Sequence, residues 1–140
     1  MSIITISIVA SIISLLYGAF LVNSVMKKSA GDTKMIEIQQ AIEQGARAYL
    51  RRQNKTVLVV GLVVTILLAI WLGRMIALGF VVGALSSMLA GFIGMIVAVK
   101  ANSRVAEEAK KGMAPAFSLG FKGGAVTGFF VVGLALLSLT

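Results

Sequence analysis

Four long stretches of this chain carry no charged side chain, and no other feature limits its fold so tightly. Residues 3–26, 56–72, 75–99 and 123–140 are free of Asp, Glu, Lys and Arg. A helix needs about 20 apolar residues to cross the roughly 30 Å hydrocarbon layer of a bilayer. The run at 56–72 is short, but Trp71 stands where an interfacial aromatic anchor belongs. No Lys or Arg precedes the first run, whereas Lys27, Lys28 and Lys34 follow it. A cleaved signal peptide has the opposite polarity, so the first run reads as a spanning helix with the N-terminus outside.

The rest of the charge agrees with this reading. Of 13 basic residues only Arg74 falls between the second and third runs. The others lie in the polar segments 27–55 and 100–116 or, as Lys122, at the mouth of the last run, and an excess of Lys and Arg marks the inside. The expected topology is four spans, about 3–26, 56–72, 75–99 and 117–140, within a single region 1–140, with both ends outside. The fold class expected is all-α: four transmembrane helices with long cytoplasmic helical extensions, part of a larger multi-helix bundle in a cell membrane. With 59% hydrophobic and 13% charged residues, against about 25% charged in soluble domains, the chain has too much apolar surface for a soluble fold of its size. The net charge of +8 is confined to short segments between spans, which argues for a lipid bilayer as partner and against nucleic acid. Without cysteine or histidine, thiolate and imidazole metal sites are excluded.

Small residues recur along the spans. Gly79, Gly83, Ser87 and Gly91 stand at every fourth position, as do Ala90, Gly94, Ala98 and Asn102. In lipid, where tails are as apolar as leucine, helices associate through close approach at such residues. Ser7, Ser11, Ser14 and Gly18 form a similar face on the first span, and Gly120, Gly124 and Gly128 on the last. These faces are read as packing surfaces.

Between the first two spans, Gly31 breaks the pattern and Asp32 or Thr33 can cap a new helix. That helix is amphipathic, with Met35, Ile38, Ile42, Gly45, Ala46 and Tyr49 on one side and Glu37, Gln40, Glu43, Gln44, Arg47 and Arg51 over much of the rest. It packs on the protein or lies along headgroups, where Arg47, Arg51, Arg52 and Lys55 favour anionic lipid. It continues into the second span as one rod. Gly73 and Arg74 then make a tight hairpin to the third span, which runs on past Lys100. Glu107 is placed to pair with Arg104 or Lys111, and Gly112 and Pro115 end or bend the helix. Lys122 can snorkel to the interface.

All five acids lie in the polar segments. A proton-coupled four-helix exporter or a rotor-ring subunit needs a carboxylate at membrane depth, and no span supplies one. Clustered carboxylates for Mg²⁺ are missing, and Lys122, Gly123 and Gly124 are in the wrong order for a phosphate loop.

Three segments in order, EIQQAIEQGARAYLRRQ (37–53), GALSSMLAGFIGMIVAVKANSRVAEEAKKG (83–112) and AFSLGFKGGAVTGFFVVGLALL (116–137), resemble the N-terminal part of the membrane-bound, ion-pumping inorganic pyrophosphatases. Thr127 stands where the family often has methionine, a departure that puts nothing essential in doubt. The resemblance implies a longer homodimeric protein of about sixteen helices. In such a protein, hydrolysis of Mg²⁺-bound pyrophosphate drives H⁺ or Na⁺ outward, in some members with K⁺. It further implies that this chain is the first four helices, part of an outer ring whose partners are the remaining helices. The catalytic, cofactor and metal residues would lie beyond it, and the chain alone would bind no cofactor. The absence of a polar tail after Leu139 and Thr140 also suggests an incomplete membrane protein. The alternative is a complete four-helix membrane protein that binds a partner or assembles without catalysis. A minimal transporter would need a polar path, for which Ser86, Ser87 and Asn102 are the weak candidates.

Overall fold

A computed structural model describes residues 2–140 as four α-helices: α1 (Ile3–Met26), α2 (Thr33–Trp71), α3 (Arg74–Ala109) and α4 (Met113–Leu139). At 1.5 Å per residue, α2 and α3 are about 58 and 54 Å long, so each exceeds a hydrocarbon layer by some 25 Å. The excess lies at one end, where the charged segments gather.

The helix boundaries follow from local chemistry. Asp32 is the α2 cap, its carboxylate accepting from the Met35 N–H at 2.9 Å. α2 then runs unbroken through Asn54 to Trp71. The hairpin to α3 turns at Gly73, whose φ of 100° is open to glycine and strained for other residues. α3 ends at Ala109, and Gly112, at φ 129°, reverses the chain. Pro115 does not end or bend α3. It sits in the first turn of α4, where a missing backbone N–H costs nothing and the fixed φ suits a helix start.

In space the order is α2, α3, α4, α1: α4 packs against both α3 and α1, α3 against both α4 and α2, and α1 touches α3 lightly. The core is correspondingly thin. One cluster joins Leu21 of α1, Val97 of α3 and Val126 of α4, and another joins Val25, Ala101 and Leu119. Val25 and Val126 are completely buried. The outward sides of all four helices carry exposed large apolar residues such as Leu16, Leu62, Leu78 and Phe121. A soluble monomer would not leave so much apolar surface contiguous. All four helices are long and apolar enough to cross a membrane.

Candidate functional site

The three-helix seam around α4 is built by residues spaced alternately three and four apart. On α4 the buried line is Ala116, Leu119, Gly123, Val126 and Gly133; on α1 it is Ser11, Ser14, Gly18, Leu21 and Val25. This near-3.5 period keeps one seam facing a closely aligned, antiparallel neighbour. Glycines bring the backbones together. A Cβ at Gly133 would meet Leu15 Cγ at 2.7 Å and the Ser11 carbonyl oxygen at 3.2 Å, and one at Gly18 would meet the Phe130 ring at 3.1 Å. The Ser14 hydroxyl donates to the Phe129 carbonyl across the interface at 2.8 Å, and Tyr17 meets the Phe129 ring edge-on at 4.8 Å. On the other side, a Cβ at Gly94 would lie 2.6 Å from Thr127 Oγ1, and one at Gly123 would lie 3.0 Å from the Ala101 methyl.

The small residues singled out from the sequence fall on different surfaces. Gly94 is buried against α4. Gly120 has only Val105 nearby, at 3.8 Å. Gly79, Gly83, Gly91, Gly124 and Gly128 have nothing within 4 Å of a would-be Cβ, and Ser87 and Ala98 are exposed. Ala90 and Gly94 do lie in the α3 seam, but the line continues through Val97 and Ala101 while Ala98 and Asn102 turn outward. The reason is geometric: a strict four-residue step drifts about 40° per repeat on a helix of 3.6 residues per turn. Gly123 and Gly133 were missed for the same reason, although Leu119, Gly123, Val126 and Phe130 show the alternating three-four spacing. Ser86 and Ser87 border a cavity of about 130 Å³ with Ser138. Asn102 is exposed about 24 Å further along α3, so the three do not line one path.

At the charged end, two polar clusters tie the elements together. In the first, Glu108, almost fully buried, pairs with Lys28 just past α1 at 3.5 Å and with Lys111 at 3.0 Å. Lys110 reaches Glu107 at 2.7 Å and Asp32 at 3.5 Å, so the cap of α2 is held to the end of α3. Glu107 therefore pairs with Lys110, and with neither Arg104 nor Lys111: Lys111 is held by Glu108 and Arg104 donates to the Lys100 carbonyl. In the second cluster, Glu43 holds Arg47 at 2.7 Å and reaches Lys100 at 3.9 Å. Gln39 accepts from Ser103, and Arg104 donates to the Lys100 carbonyl at 2.7 Å. α2 thus turns Met35, Gln39, Glu43, Ala46 and Leu50 toward the protein and leaves Ile38, Ile42 and Tyr49 exposed. The inward face is rotated from the apolar one because α3 offers Lys100, Ser103 and Arg104 at that level. Lys122 is half-buried one residue before Gly123, which faces Ala101, so it stands level with Lys100.

These pairs make the charged end pH-sensitive. The Met35 N–H, with help from Lys110, holds the Asp32 carboxyl below its ordinary value. Arg47, then Lys100, does so for Glu43, and Lys111, then Lys28, for Glu108. A carboxyl that loses its proton more readily when folded stabilises the fold above its unfolded pKa, and that stabilisation disappears as pH falls through the folded value. Glu107, and secondarily Asp32, raise Lys110; that contribution is complete below the ordinary lysine value of about 10.4 and is lost only above it. The expected melting temperature of the detergent-solubilised chain is therefore flat from neutral to about pH 5 and falls below about pH 4. The fall should be smaller in the triple variant Asp32→Asn, Glu43→Gln, Glu108→Gln. An equal fall in that variant would exclude these pairs as its cause.

Asp32, Glu43, Glu107 and Glu108 are all engaged by lysine or arginine, and among the described residues no three acids converge in a group able to hold a metal ion. Engaged in this way, those four carboxylates do not fit a Mg²⁺–pyrophosphate site; they staple helices.

Four long apolar helices, close glycine seams and a basic end stapled by ion pairs define an all-α, multi-pass integral membrane protein. The family profile described as inorganic H⁺ pyrophosphatase matches residues 12–140. The K⁺-insensitive pyrophosphate-energized proton pump of Methanosarcina mazei is 46% identical over 130 residues, covering 91% of this chain and 19% of the pump. A second such pump, from Moorella thermoacetica, is 42% identical over 130 residues, 92% of this chain and 19% of that protein. The K⁺-stimulated pyrophosphate-energized sodium pump of Thermotoga maritima is 39% identical over 118 residues, 83% of this chain and 16% of that protein. The chain belongs to the inorganic H⁺ pyrophosphatase family, and it spans about a fifth of the length of these relatives.

Proposed function

We propose that this chain is the N-terminal, outer-ring portion of a pump that couples hydrolysis of Mg²⁺-bound pyrophosphate to outward movement of H⁺ or Na⁺. The match to proton and sodium pumps along nearly the whole chain, at a fifth of their length, is the observation that carries the reading. The relatives' names divide between K⁺-insensitive and K⁺-stimulated pumps, so K⁺ enters the proposal as a cofactor that the rest of the protein would select. In this reading the charged end faces the cytoplasm, both ends of the chain face out of the cell membrane, and the spans are about 3–26, 56–72, 75–99 and 117–140. The seam around α4 makes a stiff block. The outward faces at Gly79, Gly83, Ala98, Gly124 and Gly128 meet later helices of a homodimeric pump.

The source gene gives a direct test. The reading predicts that the frame stays open well past codon 140, through further apolar spans separated by aspartate-rich segments; a stop at that point would defeat it. The purified 140-residue chain, supplied with Mg²⁺ and pyrophosphate, should release no phosphate. Mg²⁺-dependent turnover by the chain itself would overturn the assignment of catalysis to the remainder.

A further inference from the structure

A groove along the α2–α3 pair, bordered midway by Ser87 and Gly91, changes its chemistry abruptly along its length. At the charged end Arg47, Arg51 and Lys55, on successive turns of α2, rim a cavity of about 500 Å³ that is floored by Leu50, Leu58 and Phe92. Phe92 and Leu50 also line an adjoining cavity of about 380 Å³. From there Val57 and Met88 lead into one of about 460 Å³, walled by residues such as Val60, Gly61 and Ala84. Lys55 is the last charge before the uncharged run of α2, so the basic rim stands at headgroup level and the apolar part extends to the depth of the acyl chains. Glu43 is the one acid at this rim and is taken by Arg47 and Lys100. Among the described residues Arg51 and Lys55 are in no ion pair.

We infer that this groove binds one anionic phospholipid of the charged-side leaflet, its phosphate held by Arg51 and Lys55 and an acyl chain laid between α2 and α3. Charge complementarity selects the headgroup, since juxtamembrane cations attract anionic lipid. The continuous apolar floor selects a lipid over free phosphate, which would satisfy the rim and leave the groove empty. In a full-length pump the inference requires later helices to leave the groove clear at Ser87 and Gly91, and its test reads lipid retention alone.

Native mass spectrometry of the detergent-solubilised chain, titrated with phosphatidylglycerol and phosphatidylcholine of identical acyl chains, decides it. Phosphatidylglycerol should be retained preferentially. Arg51→Gln and Lys55→Gln should each weaken that retention about fivefold, while Lys34→Gln and Arg74→Gln leave it unchanged and all four variants melt as wild type. Ala84→Trp, which fills the apolar part, should weaken both lipids. Equal retention of the two lipids, equal loss in the Lys34 and Arg74 variants, or full displacement by glycerol phosphate would each overturn the assignment. So would loss of the lipid when the chain is joined to the rest of a pump, since a protein helix would then occupy the groove.

Discussion

Leucine at Gly133 or at Gly94 is expected to open the bundle, each on its own side of α4. At Gly133 the first added atom already lies 2.7 Å from Leu15 Cγ and 3.2 Å from the Ser11 carbonyl oxygen. Leu15 can rotate away, but the Ser11 oxygen is backbone and moves only if α1 moves. At Gly94 the added atom meets Thr127 Oγ1 at 2.6 Å, Cγ2 at 2.8 Å and Cβ at 3.1 Å; no rotamer of Thr127 removes its own Cβ. Overpacking of this kind costs about 1–3 kcal/mol, and more when backbones must part. Each variant should unfold at a clearly lower temperature in detergent, with a larger loss for the pair. In the same chain a Cβ at Gly83 or Gly91 would meet nothing within 4 Å, and Gly83→Leu and Gly91→Leu should stay within about 0.5 kcal/mol of wild type. Equal destabilisation by all four would contradict the seam described above.

Gly83 should behave differently in a full-length pump. If the face bearing Gly83 receives a later helix, leucine there removes the close approach on which helix association in lipid depends. Folding yield and pyrophosphate-driven transport should then both fall, although the isolated chain tolerates the change. Wild-type yield and activity in the full-length Gly83→Leu variant would refute that assignment of the outward stripe.

Much of the fold is legible in the sequence because single residues decide it. Uncharged runs set four helices, Asp32 caps α2, Gly73 turns the hairpin, and the 4-3-4 spacing of Ser7, Ser11, Ser14 and Gly18 falls on the α1 face whose last three members are buried against the bundle. The seam of α4 was harder to read. Gly120, Gly124 and Gly128 form the more regular series, yet the contact follows Leu119, Gly123, Val126 and Gly133, since packing tracks a 3.5-residue period that an every-fourth-residue pattern leaves behind. The inward face of α2 was hidden for a different reason. Gln39 and Glu43 look like solvated positions until α3 supplies Lys100, Ser103 and Arg104 opposite them, and no local periodicity records a partner some sixty residues away. Four of the five acids, Asp32, Glu43, Glu107 and Glu108, are taken up by lysine or arginine.

The proposed role of these four helices is as a working part of a pyrophosphate-driven pump. A chimaera in which this chain replaces the matching segment of the Methanosarcina mazei proton pump puts it to the most direct test, with pyrophosphate hydrolysis and proton uptake measured in sealed vesicles. Mg²⁺-dependent hydrolysis coupled to proton movement is expected, with loss of both on adding Gly133→Leu. A chimaera that folds and inserts as well as the native pump yet neither hydrolyses pyrophosphate nor moves protons would contradict it.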